Sequence, residues 1–144
     1  MAPTADQFLG TWKLETFEAE LQASAQRFKP WGDNPNGYVV LAPDGRMIAL
    51  LTAGERAVGE TDSDMANLFR SMVAYTGSYR IEGDRLITRV DASWNQAWNG
   101  TEQERFYHFE GNRLVLTTAW APTSLLTGAP VARGILAWVR TQKN

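Results

Sequence analysis

The chain has no cysteine and a single histidine, His108, among its 144 residues. Without thiols there is no disulfide, no thiolate nucleophile and no cysteine-held metal. The usual transition-metal sites draw on two or three imidazoles, so one here would rest on His108 and carboxylates alone, and neither a metal nor a cofactor is expected. Long apolar runs are also missing. The longest, Met47 to Leu51, falls far short of the roughly 20 residues a spanning helix needs. The opening Met-Ala-Pro-Thr-Ala-Asp-Gln has neither a basic nor an apolar leader region, which makes the cytoplasm the expected location. An excess of one charge is lacking too: 14 basic and 16 acidic residues, scattered singly, form no stripe for a phosphate backbone, so nucleic acid is not an expected partner. No G-x-x-x-x-G-K or G-x-S-x-G motif marks a catalytic loop.

What the chain has in quantity is aromatic surface, with six tryptophans, six phenylalanines and four tyrosines. Its length is that of one domain, and residues 1–144 are read as one. Turn signals recur between runs of about 6 to 10 residues rich in β-branched and aromatic side chains, the pattern of sequence-adjacent hairpins. Thr4 is placed to cap a short turn that Gly10 ends, and the first strand starts at Thr11. Along it the apolar alternation runs Trp12, Leu14, then Phe17, Ala19, Leu21, and the change of phase predicts a bulge near Glu15-Thr16. Residues Gln22 to Asn36 read as a long loop. Pro43-Asp44-Gly45 turns one hairpin, Gly83-Asp84 and Gly111-Asn112 two more. One helix, about Asp64 to Tyr75, is predicted from apolar residues at Met65, Leu68, Phe69, Met72 and Val73 behind a polar cap. The fold class is therefore all-β: about eight antiparallel strands in an up-and-down barrel, with one helix between strands three and four. Such a barrel either fills with side chains or encloses one small ligand.

Gly10-Thr11-Trp12 resembles the G-x-W signature of lipocalins, and Leu136-Ala137-Trp138-Val139-Arg140 resembles the end of their last strand. The resemblance implies that an arginine packs across the signature tryptophan at the closed end of the barrel, a cation on a ring face. The whole chain resembles the bacterial and fungal lipocalin-like domain family through Gly37-Tyr38-Val39, Pro43-Asp44-Gly45-Arg46-Met47, Ala74-Tyr75-Thr76-Gly77-Ser78-Tyr79, Trp98-Asn99-Gly100-Thr101-Glu102-Gln103, Arg105 and Gly111-Asn112-Arg113-Leu114. Members of that family often carry histidine where this chain has Thr88-Arg89, so no role of those histidines transfers. The barrels of this family host carriers and enzymes alike, so the resemblance bears on fold more than on activity.

Alternation puts Leu86, Thr88, Val90, Ala92 and Trp94 inward and Arg89, Asp91 and Ser93 outward, where Arg89 and Asp91 make a solvated pair; the opposite phase would place them inside as an acid-base or anion-anchoring pair. On the next strand Arg105, Tyr107 and Phe109 share a face, and the family resemblance at Arg105 implies that it is the inner one, which turns His108 outward. Arg105 has two readings, a bidentate anchor for a carboxylate or phenolate and a structural arginine on barrel-end carbonyls. Tyr38, Tyr79 and Tyr107 offer polar handles to a pocket, and Trp94, Trp98 and Trp120 flat surface at its mouth, with Trp31 in the adjacent loop. Trp12 and Trp138 read as core. The expected ligand site is thus Tyr38, Tyr79, Thr88, Trp94, Trp98, Arg105, Tyr107 and Trp120. The expected function is binding of a small, largely hydrophobic aromatic or aliphatic molecule. The alternative is a cofactor-independent isomerase, cyclase or lyase acting by general acid-base catalysis on such a molecule, and a homodimer is kept open.

Overall fold

The computed structural model describes residues 5–141. After a 3-10 turn at Ala5–Gln7 come β1 (Gly10–Leu21), β2 (Arg27–Phe28), β3 (Asn36–Leu41), β4 (Arg46–Thr52), α1 (Asp62–Arg70), β5 (Met72–Glu82), β6 (Arg85–Ser93), a 3-10 turn at Gln96–Trp98, β7 (Glu102–Glu110), β8 (Arg113–Thr117), β9 (Ala121–Pro122) and β10 (Val131–Arg140). The sheet runs β2-β1-β3-β4-β5-β6-β7-β8-β10-β9, and antiparallel pairing of β1 with β10 closes it. Eight long strands therefore form a closed barrel, with the two-residue β2 and β9 as appendages. The expected cap at Thr4 lies outside the described residues.

Counted with the two-residue β2, the helix follows the fourth strand rather than the third. Arg27–Phe28, inside the segment expected to be loop, adds a short strand against Ala19 and Glu20. The helix is also shorter than its apolar spacing predicts. It ends at Ser71, and Met72–Tyr75 pair with Thr52–Ala49 of β4, so strand pairing overrides a helical pattern that continued through them. Its start is a capping box: Thr61 Oγ1 accepts from the Asp64 N–H, and the Asp64 carboxylate accepts from the Thr61 N–H.

The bulge predicted in β1 is present, with Leu14 opposite Trp138 and Thr16 opposite Ala137, so that Glu15 has no counterpart. A second bulge separates Thr76 and Gly77 of β5, where Ala92 and Val90 are the partners and Asp91 is the extra residue. Here the strands approach so closely that a Cβ on Gly77 would lie 1.9 Å from the Arg89 carbonyl oxygen, which only glycine permits. The bulge reverses the phase of β6 beyond Val90. Leu86, Thr88 and Val90 are buried as expected, whereas Ala92 is exposed.

One end of the barrel is shut. Phe8 is 1% exposed and sits edge-on to Tyr107 (4.9 Å between ring centres) and Phe109 (5.2 Å), plugging the interior. Trp12 donates its indole N–H to the Phe8 carbonyl at 2.9 Å, and the Arg140 guanidinium lies 4.2 Å above the Trp12 ring. Arg140 also donates to the carbonyls of Leu9 and Gln7. A Cβ on Gly10 (φ +124°) would come within 2.7 Å of Arg140 Nη1, so the glycine of the opening motif makes room for the arginine. The arginine-over-tryptophan arrangement expected of the closed end is thus realised.

Candidate functional site

Above this plug the barrel is hollow. A chamber of about 210 Å³ is lined by inward side chains of β1, β3, β4, β5, β6, β7, β8 and β10. Strand alternation explains the walls: Val39 and Leu41, then Met47, Ala49 and Leu51, occupy every second position of β3 and β4 and are buried. Trp31 covers the chamber from its loop, packed edge-on to Phe17 at 5.1 Å, and its carbonyl accepts from the Gly54 N–H. Trp98 closes another side, 5.2 Å from Tyr75 and 5.0 Å from Trp94. Among the described residues Arg105 is the only charged side chain in the lining, and no carboxylate or imidazole contributes.

The eight residues expected to bind a ligand are not brought together as a set. Trp98 and Arg105 line the chamber. Tyr38 stands on the outer wall, 44% exposed beneath Lys13, because Gly37, Val39 and Leu41 take the inner positions of β3. Tyr79 and Tyr107 do point inward, but at the depth of the plug. Their hydroxyls donate to the carbonyls of Ala42 (3.1 Å) and Gly83 (2.7 Å), pinning two hairpin turns of the closed end. Burial pushes the Tyr79 phenol up, and the nearby Asp44 charge adds to that. Thr88 is buried without lining the chamber, and its hydroxyl has no hydrogen-bond partner among the described residues. Trp94 lies one layer out, donating to the Phe69 carbonyl and packing on the Phe69 ring. Trp120 stands outside the chamber lining at 38% exposure, under the Arg133 guanidinium.

Sequence reasoning left Tyr75, Phe17 and Trp31 out of the set. Tyr75 was assigned to the end of the helix, although Val73, Tyr75, Gly77, Tyr79 and Ile81 repeat with the period of a strand, a signal that would have placed it on the inner face. Among the described residues its hydroxyl makes no hydrogen bond, and the indole N–H of Trp138, also in the lining, is buried without an acceptor. The chamber thus presents apolar walls with a few uncommitted donors.

The remaining charged candidates lie outside. Arg89 and Asp91 are exposed as the alternation predicted, and Asp91 forms a two-point pair with Arg46 (2.9 and 3.1 Å), not with Arg89. That contact holds the Asp91 carboxyl below the ordinary aspartate value. His108 faces outward beside Glu110 at 2.9 Å. Among the described residues no group of three or more acidic or histidine side chains is placed to hold a metal ion, and no helix is long and apolar enough to cross a membrane.

A closed antiparallel barrel, a tryptophan-arginine closed end and an apolar chamber define the class of a lipocalin-like β-barrel. The profile of the lipocalin-like domain family matches residues 9–141, and the chain belongs to that family. It is 29% identical over 93 residues to a 4'-hydroxy-3'-methoxypropiophenone carrier protein of Aspergillus oryzae, an alignment covering 59% of this chain and 81% of the relative. A solved structure of an uncharacterized protein from Bacteroides eggerthii superposes with a TM-score of 0.43 at 12% identity, covering 93% of this chain and 99% of that one.

Proposed function

We propose that this protein binds a small, largely hydrophobic molecule, a single aromatic ring or a short aliphatic chain, within the barrel. The observation that carries the reading is the chamber itself. Dry apolar cavities of roughly 150 Å³ take up benzene, so about 210 Å³ suits a substituted ring and excludes large polycyclic ligands. The carrier role in the name of the Aspergillus oryzae relative, for a single-ring aromatic ketone, supports the same size class. Acid-base catalysis has less support, because the lining offers no carboxylate or imidazole to take a proton.

A panel of substituted benzenes and short-chain alcohols, followed by tryptophan fluorescence and melting temperature, tests the reading. Trp31 and Trp98 should report occupancy directly, and a bound molecule at 100 times its Kd should add about 2.7 kcal/mol of stability. A second arm fills the chamber with Ala49→Phe, which should abolish the response. No response from any member of the panel, or an unchanged response in Ala49→Phe, would overturn it.

A further inference from the structure

The wall of the barrel has a gap. β7 is nine residues long and β8 only five. Phe106–Glu110 pair with β8, but Glu102 to Arg105 pair with β6 alone. Past Thr117 the chain turns away from β7 and runs beside β10, where Thr118 and Gly134 exchange hydrogen bonds and Ala121 and Pro122 pair with Ala132 and Val131. The space left between the first half of β7 and the 118–125 segment is an open vestibule of about 590 Å³. It shares Phe17, Trp98, Arg105, Thr118 and Gly134 with the chamber, so the two adjoin at the side of the barrel with these residues between them.

Arg105 stands at this threshold, and its charge is uncompensated. Its one hydrogen bond goes to the Glu104 carbonyl at 2.8 Å, and among the described residues no carboxylate is within ion-pairing distance. The acids beside it are engaged elsewhere: Glu102 holds Arg80 at 2.7 Å, and Glu104 holds Arg85. The other vestibule cation, Arg133, is already paired with Glu20 at 2.8 Å and stacked on Trp120. A guanidinium offers five donors in a planar fork suited to two oxygens of one oxyanion, and here four of them have no partner among the described residues. Apolar walls behind and an opening to solvent in front would let a charged head bind without full desolvation.

Building on the chamber as the ligand site, we infer that the ligand is an acidic amphiphile whose ring or chain fills the chamber and whose carboxylate or phenolate oxygen lies on Arg105 in the side gap. Such a ligand enters and leaves sideways, between β7 and the 118–125 segment, with its body inward and its head toward water.

Isothermal titration with cinnamate and with cinnamamide, which share ring and chain and differ in the charge of the head, tests the inference. Cinnamate should bind about tenfold more tightly or better, the margin of a charge-assisted bidentate contact, and the preference should shrink in high salt. Arg105→Gln should abolish the preference of acid over amide, while Arg105→Lys retains part of it. If Arg105→Gln fails to fold by circular dichroism, the wild-type ratio and Arg105→Lys decide. A third probe, 4-hydroxyacetophenone, distinguishes the two oxyanion sources: binding that tightens as its phenol ionises supports a phenolate head, and tight cinnamate without that pH effect supports a carboxylate. Equal affinity for acid and amide, or a preference that survives Arg105→Gln, overturns the inference and leaves the chamber reading standing. No binding of these probes or of the neutral panel overturns both.

Discussion

The two ends of the barrel use the same kinds of residue to opposite effect. At the closed end every large polar side chain named above has a partner: Trp12 on the Phe8 carbonyl, Tyr79 on Ala42, Tyr107 on Gly83, Arg140 on Leu9 and Gln7. At the hollow end Tyr75, Trp138 and most of Arg105 have none among the described residues. A buried polar group without a partner destabilises a fold by about 1–3 kcal/mol, a cost that falls on Trp138 in the chamber lining and on Thr88 outside it, whereas Tyr75 and Arg105 are only half-buried. Aromatic content alone does not separate the ends; whether the large polar side chains named above are hydrogen-bonded does.

The largest expected effect that sharpens this contrast is at the plug. Phe8→Ala empties a fully buried position touching two rings and should lower stability by about 3–5 kcal/mol in urea denaturation. Ligand affinity measured in conditions where the variant stays folded should hardly move. Ala49→Leu, on the chamber wall, should behave in reverse, costing at most about 1–3 kcal/mol as overpacking while weakening binding tenfold or more. Equal loss of binding in both variants would break the division between the ends.

Acid should test the outer wall. Burial pushes the Glu20 carboxyl up, but hydrogen bonds from Arg27 and Arg133 outweigh it and hold it below the ordinary glutamate value. Hydrogen bonds from Arg80 hold Glu102 down, and those from Arg46 hold Asp91 down. A carboxylate depressed in the folded state contributes stability that is fully present above its unfolded value, 4.5 for glutamate and 3.8 for aspartate, and is lost as pH falls through the lower folded value. Melting temperature should therefore be flat near neutrality and fall below about pH 4.5. Glu20→Gln should flatten part of that acid limb, and an unchanged limb would remove Glu20 from the account. The smallest effect belongs to α1. Thr61→Ala removes half of the capping box, worth about 1 kcal/mol, and should speed amide exchange across Asp62–Arg70 with little change in global melting.

How much of this was legible in the sequence depended on which force set each position. The barrel and the bulge at Glu15 follow from local alternation and turn chemistry, whereas the inward face of Arg105, Tyr107 and Phe109 and the Arg140 contact follow from the resemblance to the family. The helix end did not, because Met72 and Val73 satisfy both a helical and a strand period and only their pairing with β4 decides. The depth of a side chain along the barrel was equally hidden. Period two tells which face Tyr79 and Tyr107 occupy, but that they lie beside Phe8 and not in the hollow depends on a plug supplied by a turn far away in sequence. The gap beside Arg105 is a difference in strand length that appears only once β8 and β10 are paired.

The pairing of β1 with β10 joins nine positions of the first long strand to the last. Those residues are more than a hundred positions apart, so on a ribosome the hollow stays an open trough, its apolar wall facing water, until residue 140 has been made. Closure of so distant a pair is slow, in the range of milliseconds to seconds for barrels dominated by non-local contacts.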